Sequence, residues 1–144
     1  MLKGIDPRLS PALLQMLAAM GHGDEIVLAD ANFPADSIAR ATVTGQLLRF
    51  DRSVTEALEA VLTLLPLDTF DGAPAFSMAV VGDAAQIPEA VAEAQHQISA
   101  AGGQIEALER QAFYTRARRA YGIVQTTDLR LYANLILRKG VIGA

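Results

Sequence analysis

Apolar residues recur along the chain at two spacings, and stretches of the two kinds alternate. Leu13, Leu14, Leu17 and Ala18 fall at helical spacing behind Ser10-Pro11. That pair suits a helix start, because a serine oxygen caps free amides and proline fits the first helical position. Gly21 is expected to end this helix. Residues 25–29 then read as a buried strand. The segment 36–40 fits neither period and leads to a strand around Thr42-Val43 or over 46–48. A capping Ser53 precedes a helix with Ala57, Leu58, Val61, Leu62 and Leu65 on one face, and Pro66 is expected to end it. Residues 68–74 are turn chemistry, and 76–81 read as a buried strand closed by Gly82-Asp83. Pro88 opens a helix over 89–100, while 104–108 alternate as a half-buried strand does. A helix over 110–121, a strand over 122–126 and a last strand over 131–137 complete the pattern. Helices alternating with strands predict an α/β fold, a three-layer α/β/α single domain over residues 1–144 with a central mixed sheet.

Composition changes this picture in one respect. Of 144 residues, 51% are hydrophobic, yet no stretch reaches the roughly 18 apolar residues of a membrane span. The surplus predicts a homo-oligomer, in which copies of the chain cover one another. A net charge of -4, from 12 basic and 16 acidic residues spread along the chain, argues against nucleic-acid and anionic-membrane partners. There is no cysteine, which fits a reducing compartment, and the opening residues carry no apolar leader core, so a cytoplasmic location is expected. Neither the phosphate-cradling nor the dinucleotide glycine motif is present, and two histidines without the zinc-hydrolase spacing give no metal site. No cofactor is expected.

Candidate chemistry gathers at residues 20–34. Gly21 and Gly23 flank His22 and can hold it clear of the preceding helix, whose C-terminal end favours the imidazolium. Asp30 and Asn32 follow the strand at its C-terminal end, where open α/β sheets place ligands. The other histidine, His96, lies among Glu93, Gln95 and Gln97, as on a solvated helix face. Tyr114 reads as packing, Tyr121 as a second group able to reach a pocket edge, and Arg116, Arg118 and Arg119 as facing solvent or a neighbouring subunit.

The stretches Gly21-His22-Gly23-Asp24-Glu25 and Asp30-Ala31-Asn32-Phe33-Pro34 resemble the fucose mutarotase and ribose pyranase family, as do the opening residues 1–7 and 10–14. The tail adds Arg110-Gln111-Ala112-Phe113-Tyr114 and Tyr132-Ala133-Asn134-Leu135-Ile136, which resemble the fucose branch. The family usually has glycine where Ala133 stands. The resemblance implies His22 as proton donor and Asp30, Arg110, Tyr132 and Asn134 as sugar-binding groups. On residue type alone, Arg110 also fits a surface ion pair, Tyr132 a strand-core aromatic and Asn134 a strand-end polar group. The implied activity is exchange between the anomers of free L-fucose. The alternatives are pyranose–furanose exchange of D-ribose and a non-catalytic sugar-binding oligomer. A decamer of two pentamers is implied as well.

Overall fold

The computed structural model describes residues 1–143. Six strands form one sheet: β1 (Glu25–Ala29), β2 (Leu47–Phe50), β3 (Ala75–Met78), β4 (Ile105–Leu108), β5 (Gly122–Thr126) and β6 (Leu135–Arg138). Their order is β2-β5-β1-β6-β3-β4. β6 runs antiparallel to both its neighbours, β1 and β3, and the other pairings are parallel. The sheet is therefore mixed, as expected.

Alternation along β1 divides the core between two faces. Ile26 and Leu28 join Val124, Leu135 and Leu137 beneath α1 (Pro11–Ala19), α3 (Val54–Leu62) and α4 (Glu89–Ala100). Val27 and Ala29 join Ile123 and Ile136 beneath α2 (Ala35–Ala39) and α5 (Arg110–Arg118). Each strand residue points opposite to the next, so a strand buried on both faces needs an unbroken apolar run, which Ile26 to Ala29 supplies. Helices on both faces give the expected three layers. No helix among the described residues is long and apolar enough to cross a membrane.

Local chemistry sets the helix starts. Ser10 Oγ accepts from the Leu13 amide, and Ser53 and Glu56 form a reciprocal capping box. The carboxylate of Glu109 accepts from the amides of Gln111 and Ala112, so α5 begins on an acidic cap. Several ends differ from expectation. The ambiguous segment is the short helix α2, and the strand after it begins at Leu47. α3 stops at Leu62, ahead of Pro66, where the Thr63 hydroxyl takes the Ala60 carbonyl. β6 begins only at Leu135, because Tyr132 has φ 60 and a left-handed residue cannot continue a ladder.

Candidate active site

The turn from α1 into β1 is held by residues outside it. Gly23 has φ 85, open to glycine at little cost. Gly21 does not use that region; its amide donates instead to the Asp24 carboxylate at 2.7 Å. The Gly23 amide reaches the Lys139 carbonyl, and the Lys139 amide reaches that of Asp24. The expected charge at the end of α1 is present, but it comes from Lys139, whose ammonium donates to the carbonyls of Leu17 and Met20. His22 turns elsewhere. Its Nε2 lies 3.4 Å from Oδ2 of Asp68, while about half of its side chain (54%) is open to solvent.

Asp68 is almost wholly buried in the loop after α3, and the Phe70 amide donates to its Oδ1 at 3.2 Å. Burial pushes its carboxyl up, but the Phe70 amide, the charge of Arg138 and His22 outweigh burial and hold it below the ordinary carboxylate range. Nε of Arg138 stands 3.0 Å from Asp68 Oδ2. By sequence Asp68 read as turn chemistry, and Arg138 lay just past the last expected strand, with no role of its own. Only the pairing of residues 66–68 with the tail makes them neighbours of His22 (Asp68 amide to Arg138 carbonyl, Gly140 amide to Pro66 carbonyl).

A second group forms at the other end of β1. Asp30 and Asn134 are 4% and 3% exposed and bind each other twice: the Asp30 amide donates to Asn134 Oδ1 at 2.9 Å, and Asn134 Nδ2 donates to Asp30 Oδ2 at 2.8 Å. Oδ1 of Asp30 also accepts from the amides of Asn32 and Phe33. Desolvation dominates here and pushes the Asp30 carboxyl up, although these hydrogen bonds oppose it and the charge of Asp128 adds to it. The Tyr132 hydroxyl accepts from the Val81 amide at 3.2 Å. Val81 and Arg110 line one open cavity of about 580 Å³, together with Val80, Asp83, Ala107 and Glu109. Asp30, Tyr132, Asn134 and Arg110 thus all lie where the parallel strands end, as open α/β sheets favour.

His22 does not join them. It precedes β1, whereas Asp30 follows it, and five strand residues at about 3.3 Å each separate the two ends by roughly 17 Å. The expectation that the chemistry converges on residues 20–34 is therefore corrected: within one chain the stretch supplies one group to each end of β1, a central strand of the sheet. Tyr121 stays at the His22 end but towards β2, its amide on the Glu25 carbonyl, and it lines a cavity with Met16, Thr44 and Leu48. Tyr114 packs edge-on against Phe33, as expected. Arg116 turns inward instead of facing solvent, paired through Nε at 3.0 Å with Glu25 and lying 3.6 Å over the ring of Phe76. Among the described residues, no three His, Asp or Glu side chains converge as a metal site.

A model of the RbsD / FucU transport protein family matches residues 3–142. The chain belongs to this family. Among its relatives, the fucose mutarotase of Homo sapiens is 47% identical over 99% of this chain and 95% of its own length. The crystal structure of the fucose mutarotase in complex with L-fucose from Streptococcus pneumoniae is 42% identical. It covers 99% of this chain and 100% of that one, with a TM-score of 0.87. The structure of Bacillus subtilis RbsD complexed with D-ribose is 22% identical, with a TM-score of 0.77 over 99% and 100% of the two chains, and is like this chain in fold.

Proposed function

We propose that this family member is an L-fucose mutarotase, an isomerase that interconverts the anomers of the free sugar by acid-base ring opening and closing. The observation that carries this reading is the 42% identity and TM-score of 0.87, over almost the whole chain, to a fucose mutarotase bound to L-fucose. The ribose-bound relative stands much further away at 22%.

Anomer exchange needs a proton delivered to the ring oxygen as its bond to the anomeric carbon breaks, and a proton withdrawn from the anomeric hydroxyl as the carbonyl forms. Reclosure on the other face reverses both transfers, so the protein ends in the protonation state in which it began. A positioned acid-base group contributes about 10²- to 10⁴-fold to such a step. In this reading His22 is the acid. Its half-open imidazole and its carboxylate partner Asp68 support that role. Arg110, Tyr132, Asn134 and Asp30 hold sugar hydroxyls, which both give and accept hydrogen bonds. Three of the four lone-pair positions of the Asp30 carboxylate are already occupied, so Asp30 chiefly sets the position of Asn134 and the 30–33 loop.

The roughly 17 Å between His22 and Asp30 supports a site assembled from two copies, the His22 edge of one facing the Asp30 edge of the next. Exposed Leu129, Leu131, Phe70 and Ile142 support a homo-oligomer that covers them, with the decamer implied by the family resemblance as its expected form. Tyr121, on the α1–β2 side, is proposed only as a residue of the pocket rim.

Magnetisation-transfer NMR at equilibrium tests the activity. Exchange between L-fucose anomers is expected to accelerate with the protein, to be lost with His22→Ala, and to exceed any effect on D-ribose. Unaltered exchange of both sugars would leave sugar binding without catalysis, and retention of full activity by a folded His22→Ala protein would remove His22 from the mechanism.

A further inference from the structure

Oδ2 of Asp68 serves two cations at once. Nε2 of His22 lies 3.4 Å from it and Nε of Arg138 3.0 Å. The two contacts differ in exposure: the imidazole is half open to solvent, and the guanidinium is largely buried. Arg138 Nε lacks hydrogen-bond geometry, and it is the single buried side-chain polar atom among the described residues that has no hydrogen-bond partner. The guanidinium is anchored instead by Nη2 on the Asp71 carbonyl. Its ladder neighbour Glu25 cannot draw it away, being bound on both oxygens by Arg116. Arg138 therefore acts on Asp68 through charge.

We propose that Arg138 is a positioning residue for His22, acting through the shared Oδ2 of Asp68 to set the charge that Nε2 of the imidazole meets, with Nδ1 left for the sugar. The inference rests on the reading of His22 as the acid. In the imidazolium, the Nδ1–H bond breaks as the O–H bond to the ring oxygen forms, and the other proton stays on Nε2, facing Asp68. Reclosure returns the proton to Nδ1. A carboxylate at Nε2 favours the imidazolium, and the guanidinium behind it opposes that effect. The two residues pull the imidazole in opposite directions. The other charged groups of this corner are otherwise engaged: Asp24 accepts from the Gly21 amide, Lys139 sits on the carbonyls of Leu17 and Met20, and Asp71 adjoins the anchored end of Arg138.

The test is an imidazole NMR titration of the sugar-free protein. The chain has two histidines, so His96 on the exposed face of α4 serves as an internal reference. Asp68→Asn is expected to move the midpoint of the His22 titration down and Arg138→Gln to move it up. Each shift should be about half a pH unit, below that of a fully buried pair because the imidazole is half open. His96 should stay in place in both. Arg138→Lys, which keeps the charge, should restore most of the original midpoint. Arg138→Met removes the same charge in an apolar side chain of similar length and replaces the glutamine variant if that one does not fold. A midpoint unmoved by loss of the Arg138 charge, or moved the same way by both substitutions, would overturn the proposal. Because no sugar is present, the titration stands apart from the activity reading. Loss of that reading would appear only in the exchange experiment.

Discussion

Asp30 and Asn134 are 104 positions apart and exchange two hydrogen bonds in a site nearly closed to water. Their value lies in what each would leave behind. With Asn134→Ala, the Asp30 amide loses its acceptor and the Asp30 carboxylate loses a donor, both in the interior. We expect a loss of about 2–3 kcal/mol, read by urea unfolding. The loss should depend on pH with a defined sign. Burial already holds the folded carboxyl above its unfolded value, so the fold disfavours the ionised form, and removing Asn134 raises that penalty. It is absent below the unfolded value of about 3.9, and grows as pH rises from there until the folded group ionises too. Asn134→Ala should therefore cost more at neutral pH than at about pH 4. An equal cost at both would mean that Asn134 does not support the charged form. Asn134 stood in the sequence as one polar residue in a run read as strand. Its partner was not legible, because nothing local fixes which strand lies beside β1.

At the scale of elements, the His22 edge depends on two segments lying side by side. Residues 66–68 run along 138–140, with amide-to-carbonyl bonds from Asp68 to Arg138 and from Gly140 to Pro66. Gly140 is needed there for space and not for its backbone angle. A Cβ at that position would stand 2.7 Å from the Leu67 carbonyl carbon and 2.9 Å from the Asp68 amide nitrogen, both backbone atoms that cannot swing aside. Gly140→Ala should therefore cost about 1–3 kcal/mol by overpacking and push Asp68 away from His22. Chemical unfolding and L-fucose exchange, measured together, check it: stability and exchange rate are both expected to fall. Retained exchange with lowered stability would separate the packing of this edge from the chemistry of His22. The elements themselves were largely legible. The unbroken apolar run of β1, the capped starts of α1 and α3 and the proline before α4 are local signals, and the structure begins these elements where the signals stand. The end of α3 and the start of β6 were not legible, since a threonine side-chain bond and a left-handed tyrosine decided them.

For the whole molecule, the opposite strand ends of one sheet carry complementary halves of the proposed site, and a single chain cannot close them on each other. Copies can, through a heterologous contact that repeats around a ring. Mixing two inactive proteins tests this. After joint unfolding and refolding of His22→Ala with Asn134→Ala at equal amounts, activity should return to about a quarter of sites, because random neighbours pair two intact halves that often. The Asn134 variant must first be shown to fold. No recovery from two folded, assembled variants would place both groups of each site in the same chain, against the roughly 17 Å between them.

The sequence by itself determined what local chemistry can determine: the alternation of helices and strands, the caps, the layering that follows from an apolar run buried on two faces, and the family resemblance carried by short motifs around His22, Asp30 and the tail. Only the tertiary structure decided which of these residues meet. It separated His22 from Asp30 by the length of a strand, gave the end of α1 to Lys139, turned Arg116 inward to Glu25, and set Asp68 and Arg138 beside the imidazole. The reason is that side-chain periodicity fixes the face a residue takes, whereas strand order and the crossing of distant loops fix its neighbours.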